Sequence, residues 1–133
     1  MSRPVCFLDS SAVTKLVVQE TESEVLAARL ADCDLVGSAL LLPEVSRAVR
    51  RALGHDRDEL LGQVLDLIQL VVISRDILRS AADVGPASLR TSDAIHLTSA
   101  LSLQPRLDAF VAYDDRLLAA AAQTTLPVER PGA

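Results

Sequence analysis

Apolar residues along the chain fall into short continuous runs separated by stretches in which they recur every three or four positions. That alternation predicts strands interleaved with helices. Residues 4–8 (PVCFL) are an uninterrupted apolar run ending at Asp9, the pattern of a short buried strand. From Ser10 the period changes. Ala12, Leu16 and Val17 are apolar while Lys15, Gln19 and Glu20 are polar, which predicts a helix with Ser10 or Ser11 as its N-cap. Residues 22–31 form a second amphipathic helix with Val25, Leu26 and Leu30 inward. Residues 34–37 read as a brief strand, and Ser38 opens a long helix reaching about Leu53. Pro43 lies inside that helix, so either the helix proper begins near it or its first turn is kinked. Gly54 is the expected stop.

Leu60, Leu61, Val64, Leu65 and Ile68 stand at helical spacing in residues 57–69, and the β-branched run Leu70–Ser74 predicts a strand. Residues 75–84 form a short helix broken by Gly85-Pro86. Thr91 to about Leu103 is helical and ends at Gln104-Pro105, Ala109–Tyr113 is a strand, and residues 115–122 are a helix. Pro127-Val128 reads as a last edge strand, and the tail from residue 129 as flexible. Short strands alternating with helices predict an α/β fold, with a central parallel sheet of about four to five strands covered on both faces. No internal repeat or linker interrupts the pattern, so residues 1–133 are expected to form one domain.

Aromatic residues make up only 2% of the sequence, so the core must be built from Leu, Val, Ile and Ala. No apolar run approaches the roughly 18 residues of a membrane span, and residues 1–9 are too short and too soon charged for a secretory leader. Two cysteines, Cys6 and Cys33, are no disulfide framework. Together these features predict a cytoplasmic protein. The formal net charge is −5, which argues against a general electrostatic grip on phosphates. It argues less if the excess acid is gathered in a metal site, where bound cations invert the local sign.

In a parallel α/β sheet, chemistry collects beyond the carboxyl ends of the strands. Asp9 and Asp114 each follow a strand, Glu44 lies early in the helix after the second strand, and Asp93 lies in the first turn of its helix. Topology therefore brings four carboxylates from distant parts of the sequence to one rim. Each has an ordinary alternative. Asp9, Asp93 and either Asp114 or Asp115 are good helix caps, and Glu44 could reach water from the edge of its helix. Glu44 is the most telling, because it falls on the apolar stripe Leu41, Val45, Ala48 and Ala52, where an unpaired carboxylate is costly. Clustered carboxylates suit Mg²⁺, with Mn²⁺ as the alternative. There is no Cys/His zinc pattern. His55 falls in a loop and His96 in a helix, without partners at ligand spacing, so both read as structural. An acid-rich site without a catalytic histidine favours metal-assisted hydrolysis of a phosphodiester over acid–base transesterification.

FLDSSA (7–12), LLPEVSRAVRR (41–51), RTSDAIHLTSA (90–100) and FVAYDDRL (110–117) resemble the four acidic motifs of the PIN domain. In order, spacing and length they are similar to VapC toxins over nearly the whole chain. The resemblance implies that Asp9, Glu44, Asp93 and Asp114 are the metal-binding and catalytic carboxylates. Asp9 and Asp93 would hold Mg²⁺, with Ser10 supporting the site beside Asp9. It further implies an endoribonuclease acting on tRNA or rRNA, a VapB-like antitoxin, and a homodimer. The position two before the last acid, usually Thr or Ser in the family, is Ala112 here, so a hydroxyl that would steady Asp114 is missing, and Asp115 is a partial substitute. For RNA phosphates, Arg90 and Arg116 are the preferred contacts, ahead of Arg47, Arg50 and Arg51 on the polar side of the Glu44 helix.

Two rivals stand beside this reading. A phosphoacceptor receiver domain would need adjacent acids after the first strand and a late lysine. Here Asp9 is followed by Ser10-Ser11, and the only lysine is Lys15. A catalytically inactive PIN-like binding module keeps the fold but should bind divalent metal weakly or not at all.

Overall fold

A computed structural model of the chain describes residues 2–55 and 58–133. Strand β1 (Val5–Leu8) leads into α1 (Ser10–Val17), followed by α2 (Ser23–Leu30), β2 (Asp34–Ser38) and α3 (Leu41–Leu53). Next come α4 (Asp58–Asp66), β3 (Ile68–Val71), α5 (Arg75–Ala81) and α6 (Thr91–Leu101). The chain closes with β4 (Ala109–Val111), α7 (Asp115–Ala122) and β5 (Val128–Glu129). All five strands are parallel, in the order β3-β2-β1-β4-β5. This is the α/β sheet covered on both faces that the alternating pattern predicts.

Successive side chains on a strand point to opposite faces, and the aliphatic strands use both. Cys6 and Leu8 of β1, with Ala109 and Val111 of β4, pack under α1, α2, α3 and α4. Phe7 and Phe110 face the other way, against α6 and α7, and their rings stack with centroids 5.6 Å apart and planes within 7°. Such a contact adds about 0.5–1.5 kcal/mol to the burial of its area. It also locks β1 beside β4, where the register pairs Phe7 with Phe110 and Leu8 with Val111.

Several local expectations are corrected. Asp9, not Ser10 or Ser11, is the N-cap of α1. Helix α3 starts at Leu41 because Ser38 stays in β2, where its hydroxyl accepts the Leu40 N–H at 3.1 Å. Pro43 then sits in the first turn, where its missing N–H has no intrahelical role. Gly54 takes the left-handed conformation that ends the helix, with φ of 75°. The buried stripe of α3 is Leu41, Val45 and Val49, and Ala52 is exposed. The apolar run after Leu67 is extended from Ile68, two residues earlier than expected; the expected helix start at residue 57 lies outside the described residues. Val25, expected inward, is 52% exposed. The terminal segment expected to be flexible is tied down. Glu129 joins β5 and pairs with Arg29 at 2.7 Å, Arg130 pairs with Asp115, and the Pro131 carbonyl accepts the Tyr113 hydroxyl at 2.7 Å. Among the described residues no helix is long and apolar enough to cross a membrane.

Gly37 fixes the seat of α3. A Cβ there would lie 2.4 Å from Leu41 Cδ1 and 3.0 Å from the Leu8 carbonyl oxygen. Leu41 is fully buried and the carbonyl belongs to the central strand, so neither yields cheaply. Gly37→Ala should lower the unfolding free energy by about 1–3 kcal/mol in urea titrations. An unchanged midpoint would show that α3 is not held at this contact.

Candidate active site

Strand order reverses at β1. The chain runs outward through β2 and β3, then returns to place β4 on the other side of β1. At such a switch point the loops beyond the two central strands diverge and leave a crevice. A cleft of about 620 Å³ opens there, lined by Asp9, Glu44, Asp93 and Asp114 together with Ser10, Ser11, Ser92 and Tyr113. The four acids expected at one rim therefore do share one cleft.

Each acid is held differently. Asp9 is almost fully buried, accepts the Ala12 N–H at 3.0 Å, and receives the Ser11 hydroxyl at 2.7 Å. Ser11 in turn accepts the Tyr113 N–H at 3.0 Å, tying the end of β1 to the loop after β4. Asp114 caps α7 by accepting the Leu117 N–H at 2.9 Å. Asp93 is half-buried in the first turn of α6. Glu44, in the first turn of α3, receives Ser10 Oγ and His96 Nε2, both at 2.5 Å from Oε1.

These contacts revise the roles read from the sequence. Ser10, expected to support the site beside Asp9, lines the cleft and donates to Glu44, and Ser11, not singled out from the sequence as a site residue, donates to Asp9. Asp114 and Asp115, the alternatives for the fourth acid, are placed differently. Asp114 lines the cleft, while Asp115 points to solvent and pairs with Arg130. Ala112 is wholly buried in the apolar cluster around Phe7 and Phe110, and Asp114 is steadied by its capping bond. Arg90 lines the cleft with Nη2 3.9 Å from Asp114 Oδ2, whereas Arg116, on α7, does not line it. Arg47 and Arg51, ranked behind them from the sequence, do line it. They follow Glu44 at i+3 and i+7, on one face of α3. His96 was missed as a site residue. Its partner comes from a helix 52 positions away, which no local spacing reveals, although a histidine in the apolar stretch AIHL was the available signal.

Burial pushes the Asp9 carboxyl up to about 6 despite its hydrogen bonds from Ser11 and Ala12, and the Asp93 charge adds to the rise. Asp93 is also raised, by burial first and then by Asp114. Glu44 goes the other way. Burial raises it, but the bonds from His96 and Ser10 outweigh that and hold its carboxyl below the usual range. Two acids that resist ionising beside two further carboxylates form a donor set of hard oxygens that a divalent cation would relieve. Among the described residues no three potential ligands are close enough to hold an ion as the side chains stand.

The raised Asp9 carboxyl has a pH signature. Its proton is held more tightly in the folded chain than in the unfolded one. Its favourable contribution is therefore complete below about pH 4 and lost as pH rises through about 6. An Asn cap keeps the Ala12 bond without the charge. In EDTA, Asp9→Asn should melt close to the wild type near pH 4 and above it at pH 7.5, with a difference of up to about 3 kcal/mol. Thermal melts across that range check this. A variant less stable than the wild type at pH 7.5 would mark Asp9 as a structural cap.

Comparison with known proteins agrees with this architecture. Residues 6–123 match the PIN domain family. The chain is 33% identical to Ribonuclease VapC47 of Mycobacterium tuberculosis over 132 residues, covering 96% of this chain and 97% of that one. It is 37% identical to Ribonuclease VapC46 of the same organism over 137 residues, covering 94% and 96%. In fold it is similar to the crystal structure of Mycobacterium tuberculosis VapC20, a Sarcin-Ricin loop cleaving toxin, with a TM-score of 0.66 and 16% identity over 86% of this chain and 94% of that one. It is also similar to VapBC2 from Rickettsia felis bound to a promoter DNA fragment, with a TM-score of 0.64 and 12% identity over 96% and 98%. The family match and the near full-length relatives agree: the chain belongs to the PIN domain family.

Proposed function

We propose that the chain is a divalent-metal-dependent endoribonuclease, the toxin of a VapBC-type pair acting in the cytoplasm on tRNA or rRNA. The observation that carries this reading is the convergence of Asp9, Glu44, Asp93 and Asp114 on one cleft, with Asp9 and Asp93 both resisting ionisation there. Asp9 and Asp93 hold the cation, Mg²⁺ with Mn²⁺ as substitute, and Glu44 and Asp114 complete the donor set and orient the attacking water. When bound, the ion polarises the phosphoryl group and lowers the pKa of its water.

The remaining residues position the substrate. Arg47 and Arg51 stand one helical turn apart on the cleft wall, a rise of about 6 Å, and present cations to the phosphates flanking the scissile bond. Arg90 contributes from the opposite side, next to Asp114. Arg116, two residues after Asp114 and exposed, does not line the cleft itself. The acidic floor with its arginine wall explains how a chain of net charge −5 handles a polyanion. The same floor suits a basic side chain of a VapB-like antitoxin, and exposed Val25, Leu60, Leu67 and Leu78 give apolar surface for antitoxin or homodimer contacts.

Purified protein should cleave total RNA in Mg²⁺ or Mn²⁺, stop in EDTA, and recover on adding metal. Asp93→Asn should lose at least a thousandfold in kcat. Arg47→Gln with Arg51→Gln should raise KM severalfold and flatten the salt dependence with kcat little changed, and Arg116→Gln should match wild type. Equal cleavage in EDTA would overturn the metal reading. Soluble wild type that neither cleaves RNA nor binds Mn²⁺ would favour the inactive binding module.

A further inference from the structure

We propose that His96 is a positioning residue of the active site, fixing the Glu44 carboxylate in the geometry that holds the metal. The inference rests on the metal-site reading above. Helix α6 carries Asp93 to the cleft and, three residues on, turns His96 into the interior, where it is 1% exposed. Ala94, Ile95, Leu97 and Ala100 around it are buried apolar residues. In that setting an imidazole is an expensive way to fill space, because a polar ring atom without a partner keeps its desolvation cost.

His96 Nδ1 carries that cost. It is buried and without a hydrogen-bond partner among the described residues. Nε2 lies 2.5 Å from Glu44 Oε1 and 3.2 Å from Ser10 Oγ. Ser10 Oγ donates to the same Glu44 oxygen at 2.5 Å. A carboxylate only accepts, so Nε2 is the donor and Oε1 receives two hydrogens from two different helices.

A histidine kept only for packing has no reason to aim its one satisfied nitrogen at a carboxylate in the cleft. A glutamate has three rotatable torsions, and two donors converging on one oxygen remove most of that freedom. The clamp also couples elements. Asp93 and His96 share α6, Ser10 opens α1 beside Asp9, and Glu44 comes from α3. These two converging hydrogen bonds thus set where the Glu44 carboxylate stands relative to Asp9 and Asp93. Partners that orient ligands in this way commonly change metal affinity by 10–100-fold when removed.

Mn²⁺ titration followed by electron paramagnetic resonance tests this without RNA, with cleavage kinetics measured alongside. His96→Leu should weaken Mn²⁺ binding about tenfold or more and lower kcat, with KM for RNA little changed. His96→Gln, whose amide N–H can reach Oε1, should stay within about threefold of wild type. Adding His96→Leu to Glu44→Gln should cause no further loss. If His96→Leu does not fold, His96→Asn, too short to reach Oε1, should show the same deficit against His96→Gln. The proposal is overturned if the shortened or apolar variant binds Mn²⁺ like wild type while folded. It is equally overturned if the loss persists undiminished on top of Glu44→Gln. Wild type that binds no Mn²⁺ would instead remove the metal-site reading beneath it.

Discussion

Asp9 and Asp114 open on one half-buried crevice because β1 and β4 are neighbours in the sheet, and Asp93 joins them there, so like charges are gathered together. Repulsion of this kind cannot be relaxed by moving the carboxylates apart, since each is anchored to the end of an element. Asp9 and Asp114 are N-caps, and Glu44 is clamped by Ser10 and His96. Positive charge brought into the crevice would lower the energy, since the Asp9 and Asp93 carboxyls stand above their ordinary values, by burial first and by neighbouring acids second. A site that binds a divalent cation and a phosphodiester together needs this preorganised excess of negative oxygen.

Capping and catalysis are therefore not competing explanations for these acids. A carboxylate that accepts a first-turn N–H with one oxygen has its other lone pairs available, and the bond fixes its direction. For Asp9 the Ser11 hydroxyl adds a second restraint, and Ser11 also accepts the Tyr113 N–H, so the segments after β1 and β4 are tied together. Glu44 stands apart. Its carboxyl is lowered where those of Asp9 and Asp93 are raised, because its charge is answered by hydrogen-bond donors within the protein.

The strands and helices were legible because apolar runs and helical spacing are local signals, and the carboxyl-end rule then placed the acids before any contact was known. The misreadings have local causes too. Ser38 satisfies the Leu40 N–H from the strand, so a residue that looks like a helix opening is not in the helix. Ile68 continues the helical spacing of Leu61 and Leu65 but pairs with Leu35 in the sheet, a tertiary choice that spacing cannot encode. Resemblance pointed to Ser10 beside Asp9 as a support of the site, and only side-chain direction shows that Ser10 serves Glu44 while Ser11 serves Asp9. The site role of His96 and the place of Arg47 and Arg51 on the cleft wall emerged only in three dimensions, because they depend on which face of one helix meets another. The tail misled for the same reason, since its ties to Arg29, Asp115 and Tyr113 come from distant parts of the chain.

The central claim, that the acid cleft is an RNA-cutting metal site, is tested most directly by inducing wild type and Asp93→Asn in bacteria and sequencing total RNA for new 5′ ends. The account predicts growth arrest and discrete new ends with the wild type alone. Equal growth and identical RNA from two soluble, folded proteins would contradict it.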